Sequence, residues 1–216
     1  MHVFIADIHI RPGIRDDSDR FISWLSTIEK KASNIYILGD LFDYWYTGIE
    51  SRVPDVIKAL ESPRIHLLPG NRDFLMRNMA MHSIDLIRDE EHHIELLRKR
   101  ILLAHGHTLT EDDRGFRLLH RYGWPILVGL DKWMPAGIKD FVARFLVKSS
   151  LSIRPPHAGI NENIAQIRGV QTVICGHLHR PFMSPGLIVL PAFFDTGQWL
   201  VWDKNGPRFD GLNTQA

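Results

Sequence analysis

Short apolar runs alternate with amphipathic stretches through the first part of the chain. Buried strands are predicted at 3–6, 35–38 and 65–68, where Val, Ile, Leu and aromatic side chains are concentrated. Helices are predicted at 19–31, at about 54–60, and beginning near Asp73, where apolar residues recur at helical spacing. Such strand–helix alternation predicts an α/β layered fold with largely parallel central strands.

The second half of the chain departs from this pattern. A hairpin is predicted at 93–97 and 100–104 with its turn at Arg98-Lys99, and later strands at 172–175, 187–190 and 198–202. Residues 112–150 are mostly helical in pattern and rich in Phe, Leu, Trp and Met, and 161–168 is a short helix. We therefore expect a single domain, 1–216, which includes a helical insertion at about 114–168.

Composition narrows the class of protein. The 216 residues are 44% hydrophobic and 24% charged, as in ordinary globular proteins that bury a core. A net charge of +1 gives little attraction for nucleic acid, which we do not expect as a partner. Cys175 is the only cysteine, so an intrachain disulfide is excluded. The chain has neither a signal-peptide pattern at Met1 nor a spanning apolar run, so we expect a cytoplasmic protein.

Residues that can bind metal follow each predicted strand. They are Asp7 and His9, Asp40, Asn71, His105 and His107, and His177 and His179, with glycine at 39, 70, 106 and 176. The carboxyl ends of strands in an open α/β sheet share one edge, so these side chains should meet there. In D-x-H and H-x-H, side chains two apart on an extended segment point the same way. One such motif alone is equally consistent with a helix cap or a satisfied polar residue, but five together indicate a metal site.

The donor set also indicates the kind of metal. Carboxylates, an amide oxygen and imidazoles together suit manganese, iron or zinc better than calcium. Asp40 is the natural candidate for a carboxylate that bridges two ions. The glycines allow tight backbone turns directly after the strands.

The chain resembles the calcineurin-like metallophosphoesterase superfamily over residues 2–105 and 172–203. The resemblance lies in the ordered series of motifs D-x-H, GD, GN, H and GHxH. Within it, FIADIH, GDLFDYW, GNRDF, HGHTLTEDD and GHLHRP most resemble the UDP-2,3-diacylglucosamine pyrophosphatases, or hydrolases, of lipid A biosynthesis. The resemblance implies a layered sandwich of central β-sheets flanked by helices, with a helical insertion or lid. It also implies hydrolysis of a nucleotide-sugar lipid, UDP-2,3-diacylglucosamine, at its pyrophosphate bond to give UMP and lipid X.

The resemblance further implies a ligand set for two divalent ions, with Mn²⁺ expected and Fe or Zn as alternatives. It places Asp7, His9, Asp40 and His179 around one ion, and Asp40, Asn71, His105 and His177 around the other. Paired ions of this kind neutralise phosphate charge during in-line attack. Asn71 and Asp40 are therefore candidate catalytic residues as well as ligands.

Arg72 is the third candidate catalytic residue. Many superfamily members carry histidine directly after the asparagine of GN, where it can protonate an alkoxide leaving group. Arginine cannot donate a proton near neutral pH, because its pKa lies above 12, but it can clamp phosphate oxygens. Arg72 therefore favours cleavage of an anhydride, whose leaving group is itself a phosphate. The alternative is a surface arginine paired with Asp73.

Further residues are expected to meet the substrate. Asp73 and His107 follow the ligand motifs, and Asp113 matches an aspartate that lies near the substrate in the relatives. Apolar residues of the insertion, such as Trp133 and Phe141, would form a wall for acyl chains, and Lys148 would meet phosphate or the anionic inner-membrane surface. The alternative for the insertion is a helical hairpin that simply packs on the core.

Two features depart from the lipid enzymes. His107 stands where they usually have aspartate, and Ser150–Asn161 does not reproduce their substrate helix. A phosphodiesterase or nucleotide pyrophosphatase acting on a soluble substrate is therefore the alternative function.

Overall fold

The computed structural model describes residues 1–78, 83–110, 122–153 and 159–212, and omits the side chains of 148–153. Two β-sheets form its centre. The strands of the first sheet are β1 (His2–Ile5), β2 (Asn34–Leu38), β3 (Ile65–Leu68), β4 (Asp85–Leu86), β10 (Gln198–Asp203) and β11 (Gly206–Gly211). Their order is β11-β10-β1-β2-β3-β4, in which β1 to β4 are parallel and β10 is antiparallel to both of its neighbours.

The second sheet is built from the hairpin and the later strands. Its members are β5 (Glu91–Leu96), β6 (Lys99–Ala104), β7 (Thr172–Cys175), β8 (Phe182–Met183) and β9 (Leu187–Val189), in the order β5-β6-β7-β9-β8. Strands β6, β7 and β9 are parallel, and the edge strands are antiparallel. The layered α/β fold and its largely parallel central strands are thus confirmed.

The described helices flank the sheets or belong to the insertion. They are α1 (Arg15–Glu29), α2 (Pro54–Ala59), α3 (Trp124–Asp131), α4 (Ala136–Ile153), α5 (Ile164–Ile167) and α6 (Phe193–Thr196). Short 3-10 helices lie at Ile49–Arg52 and Phe74–Asn78, so the helix expected near Asp73 is a 3-10 turn. The predicted stripe of α1 is buried as Phe21, Trp24, Leu25 and Ile28.

Strand alternation distributes the apolar side chains among three core layers. In β1, Val3 and Ile5 pack beneath the helices of the first sheet, whereas Phe4 packs between the two sheets. A third layer on the far face of the second sheet contains Val173 and Ile164. The order of layers is therefore helix, sheet, sheet, helix, which buries both faces of both sheets.

The hairpin between β5 and β6 turns one residue earlier than predicted. Its turn residues are Leu97 and Arg98, both with positive φ (51° and 63°), instead of Arg98 and Lys99. Two-residue hairpins favour turns with two left-handed residues because their twist matches that of the strands. The sequence lacks the Asn-Gly signal that would have indicated this position.

The insertion leaves and rejoins the second sheet at neighbouring points. Thr110 and Ile160 form an isolated antiparallel bridge, and α3 and α4 lie between them. From Ile160 onward the chain packs into the core of the second sheet through Ile164 and Ala165. The assignment of the chain to a single domain stays a prediction.

Candidate metal centre

The candidate ligands lie directly after strands of both sheets, and most of them have an unusual backbone. Asp7, His9, Asp40, His177 and His179 all have positive φ, between 51° and 69°. This left-handed region is uncommon for residues with a Cβ, and it costs about 1–3 kcal/mol at each position. The other described non-glycine residues with positive φ are the two in the hairpin turn. Concentration of strain at the ends of strands indicates that these side chains are held for a function.

Asp7 is the centre of the first group. Its carboxylate is 1% exposed, with Oδ1 3.1 Å from His179 Nε2 and 4.0 Å from His9 Nε2. The two imidazole Nε2 atoms are only 3.3 Å apart. The backbone N–H of His177 donates to Oδ2 of Asp7 at 2.7 Å and so fixes the carboxylate. Asp7, His9 and His179 offer three ligand atoms close enough to hold one ion.

A second group surrounds Asp40. Its Oδ1 lies 3.5 Å from His105 Nε2, and His105 Nε2 is 2.9 Å from the amide oxygen of Asn71. The other ring nitrogen of His105 hydrogen-bonds to the carbonyl oxygen of Leu38, which orients the ring. Asp7, Asp40 and His105 form a second set of three ligand atoms that could hold an ion.

The electrostatics of the two groups are those of metal ligands. Burial raises the pKa of Asp40, but nearby His105 and His9 more than offset this and lower its pKa below the ordinary value. Burial likewise raises the pKa of Asp7, but the hydrogen bond with His179, together with the nearby histidines, lowers its pKa below the ordinary value. Burial lowers the pKa of His9. Ionised carboxylates and neutral imidazoles are the forms that bind divalent ions, so the donor set fits the expected metals.

Two glycines make room for the carboxylates of this cluster. A Cβ on Gly70 would lie 2.3 Å from Asp40 Oδ1, and one on Gly176 would lie 2.5 Å from Asp7 Oδ2. The backbone at these glycines approaches the carboxylates too closely for any other residue. This is a second reason for glycine, in addition to the tight turns expected from the sequence.

Asp73 is placed differently from the expected substrate-binding residue. Its side chain is 0% exposed and accepts hydrogen bonds from the backbone N–H groups of Leu41, Phe42 and Gly70. Burial and the neighbouring charge of Asp40 raise the pKa of Asp73 to about 6. Asp73 therefore braces the loops that carry Asp40 and Asn71, and its position gives it no surface for contact with substrate.

The side chain of Arg72 contacts Asp43 and Asp40. The alternative interpretation, in which it pairs with Asp73, is therefore not observed. Its guanidinium forms an ion pair with Asp43, and Nε lies 3.7 Å from Asp40 Oδ2. The backbone N–H of Arg72 donates to Asp40 Oδ1 at 2.9 Å. Arg72 is therefore a cation at the edge of the ligand cluster. Asp43 was not singled out from the sequence, although it lies in the GDLFDYW motif.

An apolar pocket opens beside Arg72. Its other walls come from the segment after β2, the 3-10 helix after β3, and the inner faces of α3 and α4. It is lined by Tyr44, Trp45, Tyr46, Asn71, Arg72, Phe74, Leu75, Trp124, Leu127, Asp131, Met134, Lys139, Val142, Ala143, Leu146 and Val147. The metal-ligand cluster and the pocket thus share Asn71 and Arg72.

The expected wall residues Trp133 and Phe141 lie elsewhere. They are 85% and 71% exposed, and neither belongs to the lining of this pocket. Leu127, Met134 and Val142 line it instead. The expectation failed because α3 and α4 are apolar on more than one side, so their pattern does not identify the inward face.

His107 lies inside the site region. It is 2% exposed, with its ring 5.4 Å from that of His105 and 5.5 Å from that of Trp124. The sequence-predicted Asp113 lies outside the described residues, as does the side chain of Lys148. Substrate-binding roles for His107, Asp113 and Lys148 stay predictions.

Comparison with known proteins identifies the family. The model of the calcineurin-like phosphoesterases matches residues 3–181. This chain belongs to that family. As a calcineurin-like phosphoesterase, it is a metal-dependent hydrolase, and its described residues include two groups suited to divalent ions.

Individual relatives give a narrower likeness. The UDP-2,3-diacylglucosamine hydrolase of Photorhabdus laumondii is 29% identical over 198 residues, covering 84% of this chain and 82% of the relative. The protein of the same name from Escherichia coli O127:H6 is 32% identical over 199 residues, covering 83% and 82%. Among solved structures, the E. coli phosphoesterase Yfce is 14% identical, with a TM-score of 0.49 over 100% of this phosphoesterase and 94% of Yfce.

Proposed function

We propose that this phosphoesterase cleaves the pyrophosphate bond of UDP-2,3-diacylglucosamine and releases UMP and a diacylated sugar phosphate. The observation that carries the proposal is the apolar pocket that adjoins the ligand cluster at Asn71 and Arg72. Acyl chains of the substrate would bury apolar surface in this pocket. The relatives named UDP-2,3-diacylglucosamine hydrolase, similar over more than four-fifths of the chain, support the same substrate.

The metals would be held by seven side chains. We assign Asp7, His9, Asp40 and His179 to one ion and Asp40, Asn71, His105 and His177 to the other. Asp40 lies 3.5 Å from His105 and forms one candidate ligand group with His105 and Asp7, one from each set, which supports its bridging role. When bound, two such ions supply an activated water and neutralise phosphate charge. Manganese remains the metal we expect.

Arg72 would act on the leaving phosphate. Asp43 and Asp40 hold its guanidinium beside the ligand cluster, and only 10% of the side chain is exposed. A fixed, poorly hydrated cation stabilises developing negative charge without reorganisation in the transition state. Since the leaving group is a phosphate, it needs this charge more than it needs a proton.

The outer face of the insertion would rest on the inner-membrane surface. Its apolar side chains are 46–85% exposed; they are Ile126, Leu130, Trp133, Ile138, Phe141 and Phe145. Exposed Lys132 accompanies them, as does exposed Arg144, which is ion-paired with Asp140, whereas Asp131 is buried. Aromatic rings with nearby cations suit the boundary of an anionic bilayer. Within the described residues, no helix has the length and apolarity needed to span a bilayer.

Product analysis tests the substrate. The purified protein, supplied with Mn²⁺, should release UMP from UDP-2,3-diacylglucosamine dispersed in detergent, and should act poorly on an unacylated UDP-sugar. Efficient release of UMP from the unacylated UDP-sugar, with none from the lipid, would move the assignment to a soluble nucleotide pyrophosphatase.

A further inference from the structure

The apolar pocket extends along α3, away from the ligand cluster. Trp124 begins α3 and stacks on Phe74 at 4.1 Å, with its ring 5.5 Å from that of His107. Arg72, two residues before Phe74 in the chain, also lines the pocket. Asp131 ends α3 and also lines the pocket, about 10 Å further along the helix axis at 1.5 Å per residue. The pocket therefore has an end near the ligands and an end near Asp131.

A buried ion pair occupies the far end. Asp131 and Lys139 are 5% and 8% exposed, and their charged atoms are 3.4 Å apart. Thr47 donates both its backbone N–H and its hydroxyl to Asp131, and Lys139 donates to the Thr47 carbonyl at 3.0 Å. The Lys139 ammonium also lies 5.9 Å from the centre of the Tyr46 ring. Each charge is thus paired and hydrogen-bonded within an otherwise apolar region.

Such a network is a barrier to a hydrocarbon chain. An alkyl group pushed past it would separate Asp131 from Lys139 or from Thr47, and would leave a buried charge without compensation. Before that point, every methylene that enters the pocket gains affinity from burial. Affinity should therefore rise with chain length and then stop rising.

Building on the function proposed above, we propose that the Asp131–Lys139 pair, held by Thr47, sets the maximum length of acyl chain that the pocket accepts. The pair is a specificity determinant for the lipid part of the substrate. It lies about 10 Å along α3 from Trp124, and neither Asp131 nor Lys139 belongs to the candidate metal-ligand groups.

If the Asp131–Lys139 pair only attached the insertion helices to the rest of the protein, its removal should have the same effect as the removal of another such attachment. The pair also fastens α3 and α4 to the segment after β2, and so does the ion pair between Arg52 and Asp140, at 3.0 Å. Neither Arg52 nor Asp140 lines the pocket. Arg52→Gln is therefore a matched control, because it removes a fastening of the insertion without changing the end of the pocket.

Binding of a series of n-alkyl phosphates, measured calorimetrically on the manganese-loaded protein, tests the proposal without the nucleotide. For the wild type we expect affinity to rise about fourfold per methylene and then to reach a plateau. In Asp131→Leu/Lys139→Met, which replaces both charges with apolar side chains, the plateau should move to longer chains. Arg52→Gln should keep the wild-type plateau.

A second variant covers the case in which the double variant does not fold. Leu127→Trp fills the pocket about midway along α3 and should move the plateau to shorter chains. An unchanged plateau in either folded variant, or affinity independent of chain length in the wild type, overturns the proposal. A wild type that shows the plateau but releases no UMP from the diacylated substrate would instead refute the proposed function, and the role of the pair would stand.

Discussion

At the scale of single residues, the site depends on side chains held in conformations that the backbone disfavours. Five candidate ligands have a left-handed φ. A Cβ on Gly70 would collide with the side chain of Asp40, and a Cβ on Gly176 would collide with that of Asp7. Strain of this kind persists only where the surrounding structure fixes it. Buried Asp73 supplies part of that support by binding three backbone N–H groups.

Asp40→Ala should abolish hydrolysis while leaving the protein folded. Asp40 lies near ligands of both candidate ions, so its loss should reduce the bound metal as well as the rate. Metal analysis of the purified variant, together with its circular dichroism spectrum, checks both statements. Wild-type turnover that survives exhaustive chelation would contradict the metal assignment itself.

Gly70→Ala should damage activity through a single methyl group. That methyl would lie 2.3 Å from Asp40 Oδ1, so either the carboxylate or the loop must move. A 1 Å displacement at a catalytic site can cost about 10²-fold in rate. Gly129→Ala is the control, because its Cβ meets nothing within 4 Å. Equal kcat values for Gly70→Ala and wild type would show that the contact is unimportant.

Arg72→Ala should distinguish between leaving groups. Because Arg72 supplies charge and no proton, its loss should slow anhydride cleavage by about 10²–10³. Activated aryl phosphodiesters, whose leaving groups depart unaided, should be affected much less. Equal losses of kcat/KM on the two substrates would indicate a uniform binding or structural role.

At the scale of elements, local pattern located most of the strands and their polar ends but not the faces of the insertion. The strand at 172–175 is observed as predicted, because a short buried run carries its own signal. The two-residue strands β4 and β8 were missed, since they are too short to show any alternation, and the six-residue edge strand β11 was missed as well. Helix α4 is apolar around much of its circumference, so Phe141 and Val142 could not be assigned to outside and inside from sequence.

Trp133→Gln and Phe141→Asn should weaken binding to anionic vesicles. Both residues are highly exposed, so neither change should lower the melting temperature by more than a degree or two. Co-sedimentation with phosphatidylglycerol vesicles gives the measurement. Ile167→Asn, at an exposed apolar residue on α5 rather than on α3 or α4, should bind vesicles as wild type does. Vesicle binding unaltered in both insertion variants would rule out this face as the contact.

At the scale of the whole molecule, the ligands come from two sheets that pack face to face. Asp7, Asp40 and Asn71 follow strands of the first sheet, while His105 and His177 follow strands of the second. The strand pattern predicted that these strand ends would meet, and the resemblance to the metallophosphoesterases implied more than one central sheet, but neither gave the order of the strands within each sheet. Strand pairing such as that of β1 with β10 joins residues nearly 200 positions apart, and no local pattern encodes it.

Because its ligands come from both sheets, a bound metal would link the two sheets. Metal binding should therefore raise the stability of the folded protein. An ion that binds only the folded state stabilises it by RT ln(1 + [L]/Kd), about 2.7 kcal/mol at a hundredfold excess over Kd. For a chain of this size, that corresponds to a rise of about 5–10 °C in melting temperature. We expect Mn²⁺ to produce such a rise in chelator-treated wild type, and Asp40→Ala to show much less of it.

Parallel titrations with Zn²⁺ and anaerobic Fe²⁺ would rank the alternative metals. Calcium, which prefers all-oxygen sites, should give little shift, because four of the seven candidate ligands are imidazoles. An identical melting temperature with and without Mn²⁺ would mean that the two strand-end groups do not form a metal centre.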